Sequence, residues 1–589
     1  MLLAEALTRL LYLWDIGLLH HLPELLLRER VPVVLIQILN QTLFAQTANG
    51  GWGSEISCET TAYGILTLKA VSSLPLHGLL NESIKSGILL GQHLLIRSED
   101  GWAKPTYVWI EKVTYGSATL SEAYCIAAMH ALQQTPHAWS QKTVSLVDIP
   151  EKVVANLVAF FPSLEGLQSE PIWTMRASAV EACTFLPQLR SARADILPRQ
   201  KEAKNKYVTY IPFIWILVNN LYHLDISADL LWDMMVLTVC NFRVDEYMET
   251  AVARFSEADL EQAKSIVQAL CTVEQQEHSV KIGGGDGDFT GDLESRTTES
   301  AITVNGFKAN GADAIATEAN EKYAVSLLVN FRAVIGHYTR AMLAYPRIVY
   351  ASSADQSRFR YLLRTFLLSH IEQIADNSRF STQTSWNASR TTIITGPRTS
   401  FYVWAHSIGA DSISCPMSFA FLACLVGAMN SPLQEKRQRS AADCFESVRQ
   451  KYLAEDLCSR LAVMSRLYND FGSVVRDRLE ANINSINFPE FHSHSCEGIV
   501  PAEHDSDAIN EEKLKGDLLR LAQDERQNAD VALLKLLSDL KGKPGDHRIG
   551  SQGRRVNAVR LFTGVTKLFA DIYVSRDLSN RIRTSNGLL

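Results

Sequence analysis

The chain has 589 residues, with 57 Lys+Arg against 64 Asp+Glu and a formal charge of −7. Hydrophobic residues make up 47% and charged residues 21%, an ordinary globular balance that excludes a wholly disordered chain. A pI near 6.1 argues against a general nucleic-acid binder, and at about 100–200 residues per domain the length predicts two to four domains.

The chain opens on an apolar stretch that carries Glu5, Arg9 and Asp15. It lacks a basic leader region and a small-residue cleavage site, so it reads as a helix rather than a signal peptide. The longest apolar runs, 211–218 and 416–429, are shorter than the roughly 18–20 residues of a membrane span. Ten scattered cysteines with no CxxC pair fit a reducing compartment, in which they act as small buried hydrophobes. A cytoplasmic chain with no nucleic-acid partner and no membrane span is the expectation.

Apolar residues recur at three- and four-residue spacing in most windows, and sustained alternation is scarce, so the fold class is all-α. A domain boundary is expected within 133–151, where Pro136 and Pro150 punctuate a stretch with few periodic apolar positions.

The next informative stretch is an apolar run ending at Phe242, followed by Asp245, Glu246 and Glu249. On a helix, Asp245 and Glu249 share a face with Glu246 beside them. Carboxylates at the end of an apolar helix suit Mg²⁺, which takes oxygen ligands and keeps waters. A solvated acidic helix end gives the same spacing by chance.

Residues 282–320 are rich in Gly, Ser, Thr and Asp and read as a flexible surface insertion. Their glycine run is not a P-loop, because no Gly-Lys-Ser/Thr follows, and it lacks EF-hand ligand spacing.

Asn469, Ser473 and Asp477 recur at i, i+4 and i+8, a stripe of one amide, one hydroxyl and one carboxylate oxygen. Together they suffice to hold a divalent cation, and Arg466, one turn earlier, suits a phosphate. A plain polar helix face is the alternative, but two complementary clusters in one chain are much less expected by chance than either alone. Residues 492–510, with His492, His494, Cys496 and His504, read as a polar loop rather than a zinc site. Residues 513–541 carry leucines at helical spacing until Gly542 and Pro544 end them.

The paired motifs resemble those of class I terpene synthases, in which an acidic motif and an N-D-x-x-S-x-x-x-E/D motif face each other in an α-bundle. The chain is most similar to the fungal bifunctional copalyl diphosphate/ent-kaurene synthase family. That likeness is carried by Gln46–Trp52, Cys58–Tyr63, Trp109–Tyr115, Tyr210–Trp215, Phe401–His406, Ser414–Phe419 and Asn487–Phe491, besides the two clusters.

The resemblance implies that Asp245, Glu246 and Glu249, with Asn469, Ser473 and Asp477, hold three Mg²⁺ ions on the diphosphate of an isoprenoid substrate. It implies diphosphate contact by Arg466, and site closure by Tyr573 and Arg576. Tyr210, Phe213, Trp215, Phe401 and Trp404 become candidates to line a carbocation pocket, although an aromatic on a helix is more often plain core. It divides the chain into 1–145, a partial and non-catalytic α/α-barrel, and 146–589, a class I domain with an insertion at 282–320. Gln46, Trp52 and Trp102 would be structural locks.

The family begins its cascade with a D-x-D-D general acid, but no Asp-Asp dipeptide occurs in these residues. The expected activity is therefore class I cyclisation of a copalyl diphosphate-type substrate to an ent-kaurene-like diterpene. A truncated gene model of a bifunctional enzyme and a non-catalytic helical descendant are the competing readings.

Overall fold

The computed structural model describes residues 1–19, 21–23, 25–53, 56–74, 78–110, 113–132, 139–144, 149–196, 208–272, 313–383, 393–429, 442–492, 506–541 and 549–575. Twenty α-helices account for most of them, and the only sheet among them is one antiparallel hairpin.

The first part comprises α1 (Leu2–Asp15), α2 (Val31–Phe44), α3 (Cys58–Ser72), α4 (Asn81–Arg97), α5 (Ala118–Met129) and α6 (Gln141–Val144). The hairpin β1 (Val108–Ile110) and β2 (Val113–Tyr115) lies between α4 and α5 and pairs Trp109 with Thr114. Next come α7 (Glu151–Phe160), α8 (Ile172–Ile196), α9 (Tyr210–Leu221), α10 (Ala228–Ala251), α11 (Glu257–Thr272), α12 (Asp313–Leu343), α13 (Pro346–Val349) and α14 (Ser353–Gln383). The chain continues through α15 (Phe401–Ala405), α16 (Ile408–Asp411), α17 (Cys415–Met429), α18 (Val448–Glu480), α19 (Ser506–Leu540) and α20 (Ile549–Ser575). Among the described residues no single helix is long and apolar enough to cross a membrane.

Local sequence explains where many helices start and stop. Ser57 and Thr60 form a capping box at α3, and Ser117, Ser400 and Ser447 each accept a backbone N–H at the start of α5, α15 and α18. The 33-residue α18 ends where Ala481 turns left-handed at φ 55°. The leucine-rich 513–541 stretch lies in α19 up to Leu540, and the start of α19 at Ser506 absorbs the end of the region expected to be a loop. Residues 493–505 lie outside the described residues, as do 273–312, which include most of the expected insertion. The remainder of that insertion, 313–320, opens α12.

The Gln46/Trp52 segment clasps neighbouring helices. Gln46 Nε2 donates to Gly87 O at 2.8 Å and Gly50 O at 3.0 Å, and Trp52 Nε1 donates to Thr42 O at 2.7 Å. Gly50 sits at φ +95°, and a Cβ there would lie 2.4 Å from Leu90 O, so only glycine fits this turn. Trp102 Nε1 closes the end of α4 by donating to Leu95 O at 2.9 Å.

Among the described residues one large hydrophobic core includes residues from Ala4 to Ile572, beside a smaller cluster around Trp404 and Phe488. It crosses the expected 145/146 boundary, of which 133–138 and 145–148 lie outside the described residues. Where α2 meets α8 and α9, buried Glu181 accepts Asn40 Nδ2 at 2.7 Å and Asn220 Nδ2 at 3.1 Å. Those neutral donors partly offset its desolvation, which pushes its carboxyl above the usual range.

Asp233 of α10 is another buried carboxyl. It accepts the Tyr345 hydroxyl at 2.6 Å and pairs with Arg347 at 2.8 Å, yet burial outweighs these partners and raises it to about 6. A raised carboxyl binds its proton more tightly in the folded than in the unfolded chain, so its contribution falls as pH rises from about 4 to 6. The Asp233→Asn variant should therefore show a flatter loss of melting temperature over that window than the parent. Parallel curves from thermal denaturation at several pH values would refute this.

Candidate functional site

α10, α14, α17, α18 and α20 enclose a cavity of about 1020 Å³, at the upper end of the range of about 300–1,000 Å³ for small-molecule sites. The buried face of α10, including Met234, Leu237, Cys240, Val244 and Met248, anchors it in the core. That leaves Asp245, Glu246 and Glu249 on the cavity wall. Across the cavity, α18 presents Arg466, Asn469, Arg476, Asp477 and Glu480. The two clusters, more than 200 residues apart in the chain, thus share one space.

The carboxylates differ in their surroundings. Asp245 Oδ1 accepts His370 Nε2 at 3.0 Å, from α14. Glu246 turns to Arg243, whose Nη1 donates to Oε2 at 2.6 Å. Glu249 touches solvent in the cavity, but the protein walls around it desolvate its carboxyl and push it up to about 7. Arg476 and His370 oppose that shift, whereas Asp245 and Glu480 add to it.

Asp477 is buried, and burial raises it to about 6 against the pull of Arg476, Ser473 and Asn484. Its Oδ2 accepts Ser473 Oγ at 2.5 Å and Asn484 Nδ2 at 2.8 Å, and Arg476 Nη2 lies 3.3 Å from Oδ1. Ser473 therefore stands one layer behind the wall and reaches the cavity through Asp477.

Arg466 is braced from two sides. Its Nη2 lies 2.5 Å from Oδ1 of the fully buried Asp470, and its Cζ sits 5.0 Å from the Trp404 ring centroid. Asp470 Oδ2 in turn accepts Ser485 N at 2.9 Å and Ser485 Oγ at 2.5 Å. Tyr573 of α20 reaches the cavity because α20 approaches α18 at Gly472, where a Cβ would lie 2.5 Å from Tyr573 O.

Of the aromatic candidates, Trp215 is on the cavity wall. The other four lie off that wall. Phe213 is fully buried with its ring 4.4 Å from that of Phe161, and Tyr210 packs against Phe160 and Phe161. Phe401 packs on Phe488 and Phe491, and Trp404 lies between Phe488 and Arg466. Arg576 lies outside the described residues. The apolar wall comes instead from Phe242, Phe562, Val565 and Phe569, together with Trp215 and Ile374.

Sequence reasoning missed His370, Arg476 and Glu480. Arg476 and Glu480 had a usable signal, since they flank Asp477 on the helix already singled out. His370 had none, because no local pattern ties it to Asp245, 125 residues earlier.

The arrangement combines oxygen-rich clusters, two arginines and an apolar vault. Among the described residues no three His, Cys, Asp or Glu side chains converge on one point. A divalent cation here would therefore draw part of its shell from Asn469, water or ligand oxygens, which is how Mg²⁺ is usually held with a phosphorylated substrate.

No family model matches the chain. It is 33% identical over 575 residues to a pimaradiene synthase of Emericella nidulans, covering 97% of this chain and 54% of that protein. Over 589 residues it is 29% identical to an ent-kaur-16-ene synthase of Fusarium fujikuroi, covering 99% and 55% respectively. With a phyllocladan-16-alpha-ol synthase of Phomopsis amygdali it shares 26% over 611 residues, again 99% and 55%. The chain spans about half the length of the curated relatives it matches.

Proposed function

Because the chain is homologous over nearly its whole length to fungal diterpene synthases, we propose that its cavity ionises an isoprenoid diphosphate and cyclises the resulting cation. Copalyl diphosphate is the proposed substrate, and a polycyclic, ent-kaurene-like diterpene the proposed product. The observation that carries the reading is the convergence of both oxygen clusters on one cavity with an apolar vault beside them.

Asp245 and Glu249 on one wall, and Asn469 and Asp477 on the other, are the proposed ligands of Mg²⁺, three ions in all, with Ser473 holding Asp477 from behind. The donor set fits, being all oxygen and mostly carboxylate. When bound, the ions supply Lewis-acid stabilisation of the departing diphosphate. Glu246, held by Arg243, has the weakest claim on a metal.

The protein's own groups do the rest. Arg466, held by Asp470 over Trp404, and Arg476 donate to diphosphate oxygens and offset the charge that builds as the C–O bond breaks. Trp215, Phe242, Phe562 and Phe569 offer ring faces to the cation and keep bulk water away. Residues 1–145 are proposed to be a non-catalytic partial barrel that buttresses α8 and α9. No D-x-D-D pattern occurs in these residues, so the reaction proposed for this cavity starts from copalyl diphosphate that a protonation-initiated cyclisation has already formed.

Incubating the purified protein with Mg²⁺ and, separately, geranylgeranyl, farnesyl and copalyl diphosphates tests the reading. Diterpene and diphosphate should form from copalyl diphosphate alone. Diphosphate release from none of the three would overturn it.

His370 should matter through Asp245. Removing a group that orients a metal ligand costs about 10–100-fold in metal affinity or activity, so His370→Ala should raise the half-saturating Mg²⁺ concentration on that scale, with His370→Asn recovering part. The same shift should appear when Mn²⁺ binding with inorganic diphosphate is followed by electron paramagnetic resonance. An unchanged metal dependence would leave His370 a mere packing residue.

A further inference from the structure

The cavity wall carries several hydroxyls, and most donate their hydrogen to a backbone carbonyl. Thr238 donates to Met234 O at 2.7 Å, Ser465 to Leu461 O at 2.8 Å, Thr566 to Phe562 O at 2.8 Å and Ser412 to Gly409 O at 3.2 Å. This is the usual way a helix neutralises a hydroxyl in apolar surroundings.

Ser418 of α17 behaves differently. Its Oγ accepts Asn241 Nδ2 at 3.0 Å, and the Asn241 Oδ1 accepts the Tyr338 hydroxyl at 3.2 Å. Tyr338 is fully buried, and Asn241 and Ser418 are 2% and 8% exposed. The three residues come from α12, α10 and α17, and they form a chain of donors running one way, from Tyr338 through Asn241 to Ser418. Each link polarises the next. The Ser418 hydroxyl hydrogen ends the chain, with no acceptor among the described residues, and both Ser418 and Asn241 border the cavity.

A bare O–H hydrogen facing a carbocation is repulsive, and an unmet donor in an apolar vault is costly. An oxygen acceptor removes both penalties. Asn241 lies one helical turn before Asp245, about 6 Å deeper along α10, away from the proposed diphosphate position. That separation favours water over phosphate as the acceptor.

We infer that Ser418, held by Asn241 and Tyr338, binds a water molecule that ends the cascade, so that the product is a diterpene alcohol. This rests on the cyclase reading of the same cavity. The water oxygen forms the new C–O bond to the final tertiary cation. Its surplus proton passes to the diphosphate released at ionisation, leaving a neutral alcohol with no change in oxidation level.

The test is turnover of copalyl diphosphate with Mg²⁺ in ¹⁸O-labelled water, with products resolved by gas chromatography–mass spectrometry. The expected result is an alcohol two mass units heavier than the product made in ordinary water. Ser418→Ala should lower the alcohol-to-alkene ratio about tenfold, the weight of one hydrogen bond on a partitioning step. Tyr338→Phe, which removes only the first donor, should move the ratio the same way by less. The ratio is read on whatever product forms, so it does not depend on how much active protein survives. Hydrocarbon alone from the parent, an alcohol without label, or an unchanged ratio in Ser418→Ala would each overturn the inference while leaving the cyclase reading in place. No turnover of any isoprenoid diphosphate would overturn both.

Discussion

Asp245→Ala and Asn469→Ala are each expected to lower turnover of copalyl diphosphate by at least about 10²–10³-fold, the scale of losing one preorganised stabiliser of developing charge. Asp245 stands at the cavity with its Oδ1 on His370, and Asn469 is half-buried on the opposite wall. Neither change opens a large void in the core, so melting temperatures should stay within a few degrees of the parent. Steady-state diphosphate release at saturating Mg²⁺, read beside thermal denaturation, separates the two effects. A variant that keeps most of its activity would sink the assignment of that cluster.

Asp470 predicts the opposite pattern, a loss of stability first. It is fully buried, pairs with Arg466 and receives both the backbone N–H and the hydroxyl of Ser485. Asp470→Ala would strand the buried Arg466 guanidinium and two donors at once. Removing one partner of a buried ion pair costs about 3–5 kcal/mol. Asp470→Asn, which keeps acceptor capacity but loses the charge, should cost less. Arg466 also loses its brace in either variant, so activity should fall with stability. A melting temperature unchanged by Asp470→Ala would show that the pair contributes nothing net.

The amount of this site that was legible in the sequence follows from the range of the interactions. Asp245 with Glu249, and Asn469 with Ser473 and Asp477, are spaced by helical turns, and α10 and α18 do carry them. Spacing of this kind is local, set by 3.6 residues per turn. Arg466 was found for the same reason. The aromatic wall was not, because Phe213 and Trp215 lie on the same helix, two residues and about 200° apart. One faces Phe161 in the core and the other faces the cavity. Which face of α9 points inward depends on where α8 and α20 pack, and that information is spread over the whole chain.

By itself, then, the sequence determined that the chain is helical and which oxygen-bearing side chains share a helix face, because both depend on neighbours within a few residues. It also carried the family likeness, in short motifs that stay collinear over the chain. Only the tertiary structure decided that the two clusters meet in one cavity, that His370 and Asp470 hold Asp245 and Arg466, and that Tyr338, Asn241 and Ser418 link three helices at its wall. Those relations join residues from different helices, and packing of the shared core sets them.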